Sequence, residues 1–279
     1  MPKWTVLGVG VAAVLALAAC KDDSAPVAAG SSAPPASVVA SGPASGSGSG
    51  SGSASAPGSG ESAVPVPSDP AKALAAAADD LGKQPFRVKF SSLGQEATGS
   101  VDLSTKVSEI DTLLQNGATI SARQFGTDQY VQVAGDGAAA LHAVPGKWMH
   151  VDTTGLPAGN PLSPERNQAA SAANLLRKAT GVSRAGAGSY RGRVDLSKSG
   201  ATQLPSSLSS KLRTVPFTAQ LDAQGRFTSL VFDMNSVLNG AGELHTAYFD
   251  YGVPVNVTRP SAGETVPMPD AFRKAIGLG

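Results

Sequence analysis

From residue 86 onward, hydrophobic and polar side chains alternate along most of the chain. Phe86, Val88 and Phe90 are separated by polar residues, as in a strand with one buried face. Runs of this kind, bounded by Gly, Pro, Asn and Asp, predict strands at 86–90, 96–103, 107–115, 118–125, 128–134, 138–144 and 147–152. A second series is predicted at 182–185, 189–196, 214–221, 226–234, 243–251 and 253–258, with Pro254 marking the last as an edge strand. We therefore expect two successive antiparallel meanders.

A helical period replaces this alternation in two longer segments. The first begins at Ser68-Asp69-Pro70, where a capping oxygen precedes a proline in the first turn. The second begins at Ser163-Pro164-Glu165 and has Gly181 beyond its end. Their apolar stripes are Leu74, Ala77, Ala78 and Leu81, and Ala169, Ala172, Ala173 and Leu176. Shorter helical turns are predicted at 205–212 and 270–276.

Turn residues separate the strands. Asn116-Gly117 predicts a tight hairpin with both residues at positive φ. Each amphipathic helix must bury its apolar stripe against another layer. The predicted fold class is therefore α+β, a twisted antiparallel sheet with the helices packed on its concave face.

A six-residue motif occurs twice in the chain. Gly99-Ser100-Val101-Asp102-Leu103-Ser104 returns as Gly192-Arg193-Val194-Asp195-Leu196-Ser197, with five of six residues identical. The offset between the copies is close to that between the two helix openings, which indicates an internal duplication. We expect Asp102 and Asp195 each to end a strand and to accept hydrogen bonds in the following turn, in preference to a chemical role.

Residues 1–19 have the organisation of a secretory signal peptide. Lys3 precedes an uncharged apolar run, Thr5 to Ala19, that is shorter than the roughly 20 residues of a membrane-spanning helix. Leu17-Ala18-Ala19-Cys20 resembles a bacterial lipobox. This implies cleavage before Cys20 and a diacylglyceryl group on its thiol, which would anchor the protein at the extracytoplasmic face of the cell membrane. The alternatives are an ordinary signal peptide or a lone cysteine in a membrane anchor.

Composition divides the rest of the chain into a linker and a domain. Residues 24–60 carry no charged or aromatic side chain, and Ser, Gly, Ala and Pro predominate. We predict a disordered linker over 20–67, which as a Gly/Ser coil spans roughly 35–40 Å, and a folded domain over 68–279. Cys20 is the only cysteine, so no disulfide can form within the chain. We expect a monomer.

Charge and motifs exclude several function classes. Residues 68–279 hold 20 Lys and Arg and 18 Asp and Glu, and we interpret them as scattered, so we expect no nucleic-acid partner. The chain has no H-E-x-x-H, C-x-x-C, G-x-S-x-G or Walker loop, so we predict no enzyme, catalytic residue, metal or cofactor. His142, His150 and His245 are expected to be structural or exposed. Gly135-Asp136-Gly137 resembles part of a dinucleotide fingerprint, but it lies between strands and is interpreted as a turn.

The helical stripes consist mostly of alanine. Small side chains facing the Phe, Leu and Val of a sheet either close into a tight core or leave an apolar cavity, and such a cavity selects acyl chains. The candidate lining residues are Leu74, Ala77, Leu81, Ala172, Leu176 and Trp148. For Trp148, a place in the core or at its rim is the preferred interpretation, and contact with a ligand is the alternative.

A family resemblance rests on the order of these features and on two short motifs. Pro145-Gly146-Lys147-Trp148 and Tyr248-Phe249-Asp250-Tyr251-Gly252-Val253-Pro254-Val255-Asn256-Val257, with the lipobox and linker, resemble actinobacterial lipoproteins of the LppX/LprAFG type. The resemblance implies a LolA-like β half-barrel that binds or carries lipid between sheet and helices. The alternative function is an envelope sensor or accessory protein-interaction module.

Overall fold

The described residues form one large open β-sheet with few helices. The computed structural model describes residues 66–92, 95–154, 175–198 and 210–275. Its strands are β1 (Phe86–Ser92), β2 (Gln95–Asp102), β3 (Val107–Leu113), β4 (Thr119–Phe125), β5 (Asp128–Ala134), β6 (Trp148–Asp152), β7 (Thr180–Gly186), β8 (Ser189–Val194), β9 (Val215–Leu221), β10 (Phe227–Asp233), β11 (Glu243–Phe249) and β12 (Thr265–Pro267). Two α-helices accompany them, α1 (Pro70–Asp80) and α2 (Asp270–Ala275). Short 3₁₀ turns are described at Leu196–Lys198, Leu212–Thr214, Met234–Ser236 and Ala262–Glu264.

The strand order is that of two meanders joined side by side. Along the twisted sheet the order is β12-β6-β5-β4-β3-β2-β1-β11-β10-β9-β8-β7. Each meander pairs neighbouring strands in chain order, and β1 of the first pairs antiparallel with β11 of the second. The short β12 pairs in parallel with β6 at one edge. The sheet is therefore mixed, and the prediction of a wholly antiparallel sheet is wrong at this one pair.

Side-chain alternation gives the sheet two unlike faces. Phe86, Val88 and Phe90 of β1 are buried on one face, which we call the core face. The pairing of residues between neighbouring strands places Val101 of β2, Ile110 of β3 and Met149 of β6 on the same face. The opposite face, the outer face, carries mostly polar residues, with the buried aromatic side chains of Tyr130 and Trp148 among them. The period-two pattern of the sequence thus corresponds directly to these two faces.

Helix α1 begins where its sequence predicts. Asp69 is the N-cap, and its carboxylate accepts a hydrogen bond of 2.8 Å from the backbone N–H of Lys72. Pro70 occupies the first turn, where a missing N–H costs nothing. Leu74 and Ala77 are buried in the same cluster as the core-face residues of β1. The helix therefore covers the core face of the sheet.

The β3–β4 hairpin forms as predicted, but through a different turn. Gly117 has φ +79°, whereas Asn116 is not at positive φ. Gly117 donates its N–H to the carbonyl of Leu114, and Leu114 donates to the carbonyl of Ala118. These bonds describe a type I turn followed by a glycine bulge, so a single left-handed residue suffices. The β9–β10 hairpin has the same pair of backbone bonds, in which Gly225 donates its N–H to the carbonyl of Asp222 and Asp222 donates to the carbonyl of Arg226.

The repeated motif occupies corresponding places in the two meanders. A Cβ on Gly99 would lie 2.3 Å from the backbone oxygen of Glu109, and one on Gly192 would lie 2.8 Å from the ring of Phe217. The valine that follows two residues later is buried in both copies. Glycine is therefore required in both copies because the neighbouring strand approaches closely.

The aspartates of the motif act as predicted. Asp102 ends β2 and accepts hydrogen bonds from the N–H of Ser104 at 2.9 Å and of Thr105 at 3.2 Å. Asp195 follows β8 and accepts from the N–H of Ser197 at 3.0 Å. Desolvation raises the pKa of Asp102, but the hydrogen bonds from Ser104 and Thr105 outweigh it and hold the pKa below its ordinary value. Both carboxylates stabilise turns.

The predicted strand at 138–144 is wrong. This segment forms successive turns, in which Leu141 donates its N–H to Gly137 and His142 donates to Ala139. Strands β5 and β6 pair directly with each other, so the residues between them have no strand partner. Leu141 still reaches the core face through these turns and is buried there. Gly135, at φ +85°, begins the connection, as a turn residue and not a dinucleotide-binding one.

The predicted strand at 253–258 is also wrong. Both edges of β11 are occupied, by β1 and by β10, so the chain that follows β11 has no neighbour to pair with there. Residues 252–264, which we call the strap, instead run to the far edge of the sheet and lead into β12. Pro254 and Pro260 suit a segment whose backbone makes few ladder bonds.

Several sequence predictions lie outside the described residues. These are the signal peptide at 1–19, Cys20, nearly all of the linker at 20–67, and the start and alanine stripe of the second predicted helix. Of that helix, Leu175 and Leu176 are described and are helical, and Gly181 belongs to β7. The predicted turn at 205–212 is described only from Ser210 onward. No helix in the described ranges is long and apolar enough to cross a bilayer.

Candidate functional site

Four of the six candidate lining residues lie together on the core face. Leu74, Ala77, Leu81 and Leu176 belong to one buried cluster with β1 and with the strands of the second meander, and their side chains are 0–3% exposed. They therefore form a closed core at this place. Ala172, the fifth candidate, lies outside the described residues.

The sixth candidate, Trp148, lies on the opposite face of the sheet. Its neighbour Met149 pairs with Val131 and is fully buried on the core face, so alternation directs Trp148 to the outer face. The guanidinium of Arg123 lies 4.5 Å from the centre of the Trp148 ring. The structure thus separates Trp148 from the other candidates and makes it a rim aromatic with a cation–π partner.

The core face is divided in its middle. Its buried apolar side chains form two clusters, one that extends from β3 to β8 and another built on β4, β5 and β6 with α2. Between the most deeply buried residues of the two clusters, four core-face positions of β3, β4 and β5 are only half-buried, and we call these positions the core-face gap. It consists of Thr112, Ala122, Gln124 and Gln129.

Two buried polar atoms lie near this gap. Ser92 and Gln95 face each other across the β1–β2 pair on the core face. The Oγ of Ser92 and the Oε1 of Gln95 are buried with no hydrogen-bond partner among the described residues. Ala97, the next core-face residue of β2, pairs with Thr112 of the gap. An unpaired buried polar atom costs roughly 1–3 kcal/mol, so this region has donors and acceptors to offer a bound molecule.

The outer face carries a second cluster, built on arginines. Arg123 of β4 donates from Nε to the carboxylate of Glu109 at 2.7 Å and from Nη1 to the carbonyl of Thr258 in the strap at 3.0 Å. Lys147 donates to the carbonyl of Gly263 at 2.9 Å. These bonds fasten the strap across the outer face of β4 and to the start of β6.

Arg259 fastens the middle of the strap. Its Nη1 lies 2.7 Å from a carboxylate oxygen of Asp128 and 2.8 Å from the hydroxyl of Tyr130, and its guanidinium lies 4.8 Å from the ring centre of Phe125. The other carboxylate oxygen of Asp128 lies 2.8 Å from Nε2 of His150. The hydrogen bonds from Arg259 and then His150 lower the pKa of Asp128 below its ordinary value.

The Asp128–His150 pair unites a carboxylate and an imidazole. Within the described residues, Asp128 is the one side chain to which the His150 ring is hydrogen-bonded, so no serine or threonine hydroxyl is held there for attack. His245 likewise pairs with Glu243, at 2.7 Å, on the outer face. No group of three His, Cys, Asp or Glu side chains that could hold a metal ion occurs in the described part of the chain. The outer-face cluster is best explained as a fastening for the strap.

Replacing Asp128 by asparagine is expected to lower the free energy of unfolding by about 1 kcal/mol at pH 7, since the pair with Arg259 is partly screened by solvent. The pKa of Asp128 is lowered in the fold, so its stabilisation is complete above the ordinary value of about 3.9 and is lost as pH falls through the lower folded pKa. Denaturant unfolding from pH 7 down to about pH 3 should show the two proteins converging.

Asp136→Asn is the matched control for this substitution, because Asp136 is exposed in the connection between β5 and β6. It should leave the unfolding midpoint within the range of ordinary surface changes, about 0.5 kcal/mol. If Asp128→Asn changes stability no more than this, or by the same amount at every pH, the account of the strap fastening is wrong.

Sequence reasoning missed the partners in this cluster. Asp128 and Arg259 are 131 positions apart, and no local pattern joins them.

The sequence does show a basic segment that the prediction of scattered charges overlooked. Lys and Arg are concentrated between residues 175 and 221, where eight of them accompany one acidic residue, Asp195. A count in windows along the chain would have found this concentration. The description of the charges as scattered is therefore wrong for this segment.

Comparison with known proteins adds little. No protein-family model matches the chain, and no curated protein matches it. Among solved structures, the chain is similar to the "hypothetical protein CT021 from Chlamydia trachomatis", with 10% sequence identity and a TM-score of 0.30, over 63% of this chain and 90% of that chain. A likeness at that TM-score carries no argument about fold or function.

Proposed function

We propose that this chain is a lipoprotein, anchored through Cys20 at the extracytoplasmic face of the cell membrane, that binds an acyl-chain lipid on the core face of its sheet. In this proposal the open sheet is a half-barrel of the LppX/LprAFG type, and the ligand lies at the core-face gap, between the closed core beneath α1 and the cluster that contains α2. The protein has no enzymatic activity, metal or cofactor in this role. It delivers or retains lipid within the envelope.

The observation that carries the proposal is the core-face gap. A ligand pocket is mostly apolar with a few polar groups. The core face offers this combination, because the half-buried polar residues Thr112, Gln124 and Gln129 lie between two apolar clusters. The unpaired atoms of Ser92 and Gln95 lie beside the end of the gap that Thr112 forms. These features support a ligand with an apolar chain and a polar end.

Native mass spectrometry of the mature chain tests the proposal directly. Protein that begins at residue 20 and carries Cys20→Ser has no acyl group of its own, so any lipid mass detected is ligand. We expect a co-purified lipid after expression in bacteria, or uptake of a fluorescent fatty acid by the purified protein. Failure of both would overturn lipid binding and would favour the protein-interaction alternative.

Replacing Ala122 by phenylalanine is expected to weaken fatty-acid binding by about tenfold or more, because an overfilled apolar site costs roughly 1–3 kcal/mol. Ala122 lies in the core-face gap, between Ile110 and Val131 of the neighbouring strands. The measurement is a fluorescence titration of each variant with the same fatty acid, together with its melting temperature.

Ala134→Phe is the control, since Ala134 is exposed at the end of β5 and alternates with the buried Val133. It should leave fatty-acid affinity unchanged. If Ala122→Phe melts like the parent and binds fatty acid equally well, the gap is not the binding site, even where the protein carries lipid elsewhere.

A further inference from the structure

The second meander begins with a strongly basic segment. Residues 175–221 contain eight Lys and Arg and one Asp, a net charge of +7 in a chain whose total is +1. The remainder of the chain is therefore net negative. The positive charge is located at one end of the sheet, because the segment supplies β7, β8 and β9, which lie there.

Five of these cations lie on β8 or on the chain that leads into β7 and β9, at the same end of the sheet, and we call them the basic edge. It consists of Lys178, Arg191, Arg193, Lys211 and Arg213, all exposed. Arg191 and Arg193 lie on the outer face of β8, because Tyr190 and Val194 are buried on the core face. Arg193 pairs with Thr180 of β7, and its Nη1 donates to the carbonyl of Thr214 at 3.5 Å. The segment that carries Lys178 and the turn that carries Arg213 therefore both reach Arg193.

No carboxylate neutralises the basic edge within the described residues. None of its five side chains forms an ion pair there, whereas Arg177, nearby, is paired with Asp79. The one acidic residue of the segment, Asp195, accepts hydrogen bonds from Ser197 in its own turn. The outer-face residues of the adjacent strand β9 are uncharged, namely Pro216, Thr218 and Gln220. Within the described residues, the positive charge of the basic edge is therefore exposed and has no carboxylate paired with it.

The surroundings of the basic edge distinguish among anionic partners. The aromatic residues of this segment, Tyr190 and Phe217, are 1% and 3% exposed on the core face, so no aromatic platform is available for stacking nucleic-acid bases. The large exposed hydrophobic residues of the described chain, Leu113, Leu238, Phe249 and Val253, all lie outside it. A protein interface normally has an apolar or aromatic anchor at its centre, and this surface has none.

We propose that the basic edge docks the domain on an anionic phospholipid bilayer, the membrane to which the chain is anchored in the function proposed above. Clustered Lys and Arg bind phosphate headgroups by long-range attraction and need no apolar insertion. The linker that the sequence predicts, with a span of roughly 35–40 Å, would allow the domain to return to the bilayer surface. Docking holds the sheet at the membrane, so that lipid passes between bilayer and core face over a short distance.

Vesicle sedimentation tests docking without the acyl anchor. The protein is the mature chain from residue 20 with Cys20→Ser, mixed with vesicles of pure phosphatidylcholine or with vesicles that contain about 30% phosphatidylglycerol. Each Lys or Arg close to an anionic surface contributes about a fivefold factor in affinity. We expect binding to the anionic vesicles, and we expect added salt to weaken it, since the Debye length falls to about 3 Å at 1 M.

A variant with four substitutions tests whether the basic edge is responsible for binding to anionic vesicles. Neutralisation by Arg191→Gln, Arg193→Gln, Lys211→Gln and Arg213→Gln should weaken binding to anionic vesicles at least about tenfold. The control makes the same total charge change at lysines elsewhere, by Lys72→Gln, Lys83→Gln, Lys89→Gln and Lys274→Gln, and it should weaken binding much less. Melting temperatures show whether either variant has lost its fold.

Three results would overturn docking at the basic edge. These are equal binding to both vesicle types, an equal loss of affinity for anionic vesicles in the two quadruple variants, or tighter binding to single-stranded DNA than to anionic vesicles. The outcome is separable from that of the proposed function. Acylation does not enter this assay, because the protein lacks Cys20. Fatty-acid uptake at the core-face gap is measured without vesicles, so either proposal can fail while the other holds.

Discussion

Replacing Cys20 by serine in the full chain is expected to abolish incorporation of labelled palmitate completely. Lipid transfer in bacterial lipoproteins of the predicted kind needs the thiol as nucleophile, and a serine hydroxyl does not replace it. The protein should then be released from the membrane or remain with its signal uncleaved. Two acyl chains give stable anchoring where a single chain is marginal, so the loss should be total and not graded. Labelling followed by mass spectrometry of the N-terminal peptide measures it.

Ser24→Ala provides the control, since it changes a residue of the linker and leaves Leu17-Ala18-Ala19-Cys20 intact. This variant should be labelled and anchored like the parent. The melting temperature of the domain should be the same in all three proteins, because Cys20 precedes the folded part. Palmitate labelling of the serine variant, or an unacylated cysteine in the parent, would overturn the lipobox interpretation.

Replacing Gly99 by alanine is expected to lower the free energy of unfolding by about 3 kcal/mol, the upper end of the usual cost of overpacking. The new Cβ would lie 2.3 Å from the backbone oxygen of Glu109 and 3.0 Å from the Cα of Ile110. Relief requires β3 to move away from β2, because the obstacle is backbone and not a flexible side chain. The smaller entropy of unfolded alanine, about 0.4–1 kcal/mol, offsets only part of this cost.

Two further glycines calibrate the result in denaturant unfolding. Gly263→Ala should be close to neutral, since no atom lies within 4 Å of its added Cβ. Gly192→Ala should fall between the two, because the nearest atoms belong to the ring of Phe217, at 2.8 Å, which can shift more easily than backbone. An unfolding midpoint for Gly99→Ala equal to that of Gly263→Ala would show that the close approach of β2 and β3 is not required.

The elements that the sequence predicted well are those whose stability is local. Strand β5 has the predicted bounds, Asp128–Ala134, and α1 begins at the predicted cap, because alternation and capping depend on residues close together in the chain. Asp102 and Asp195 also accept hydrogen bonds from residues two positions away. Such contacts can be inferred from the order of residue types.

The strands that were predicted wrongly had the right local pattern and no partner. Residues 253–258 alternate as a strand would, but β11 is already paired on both sides. Residues 138–144 lie between two strands that pair directly with each other. A strand exists only where a neighbouring strand accepts its backbone hydrogen bonds, and that neighbour is chosen by the whole sheet.

The candidate site shows the same division. The sequence identified the apolar residues of α1 that cover the core face, and Leu74 and Ala77 lie there. The sequence prediction grouped Trp148 with these residues, because the local sequence does not determine which face of the sheet an aromatic residue after a turn will occupy. Only the pairing of β6 with β5 assigns Trp148 to the outer face, beside Arg123. A shift of one residue in register would reverse this assignment.

Local interactions in this chain thus set the type and extent of most elements, the turn chemistry of its aspartates and glycines, and the motif that predicts its anchor at Cys20. Tertiary structure alone brought β1 beside β11, carried the strap to the edge at β6, joined Arg259 to Asp128, and gathered Arg193 with Arg213 on one surface. These arrangements depend on contacts between residues far apart in sequence. Each such contact requires a long loop to be closed, which costs conformational entropy, and only the contacts of the whole sheet together offset that cost.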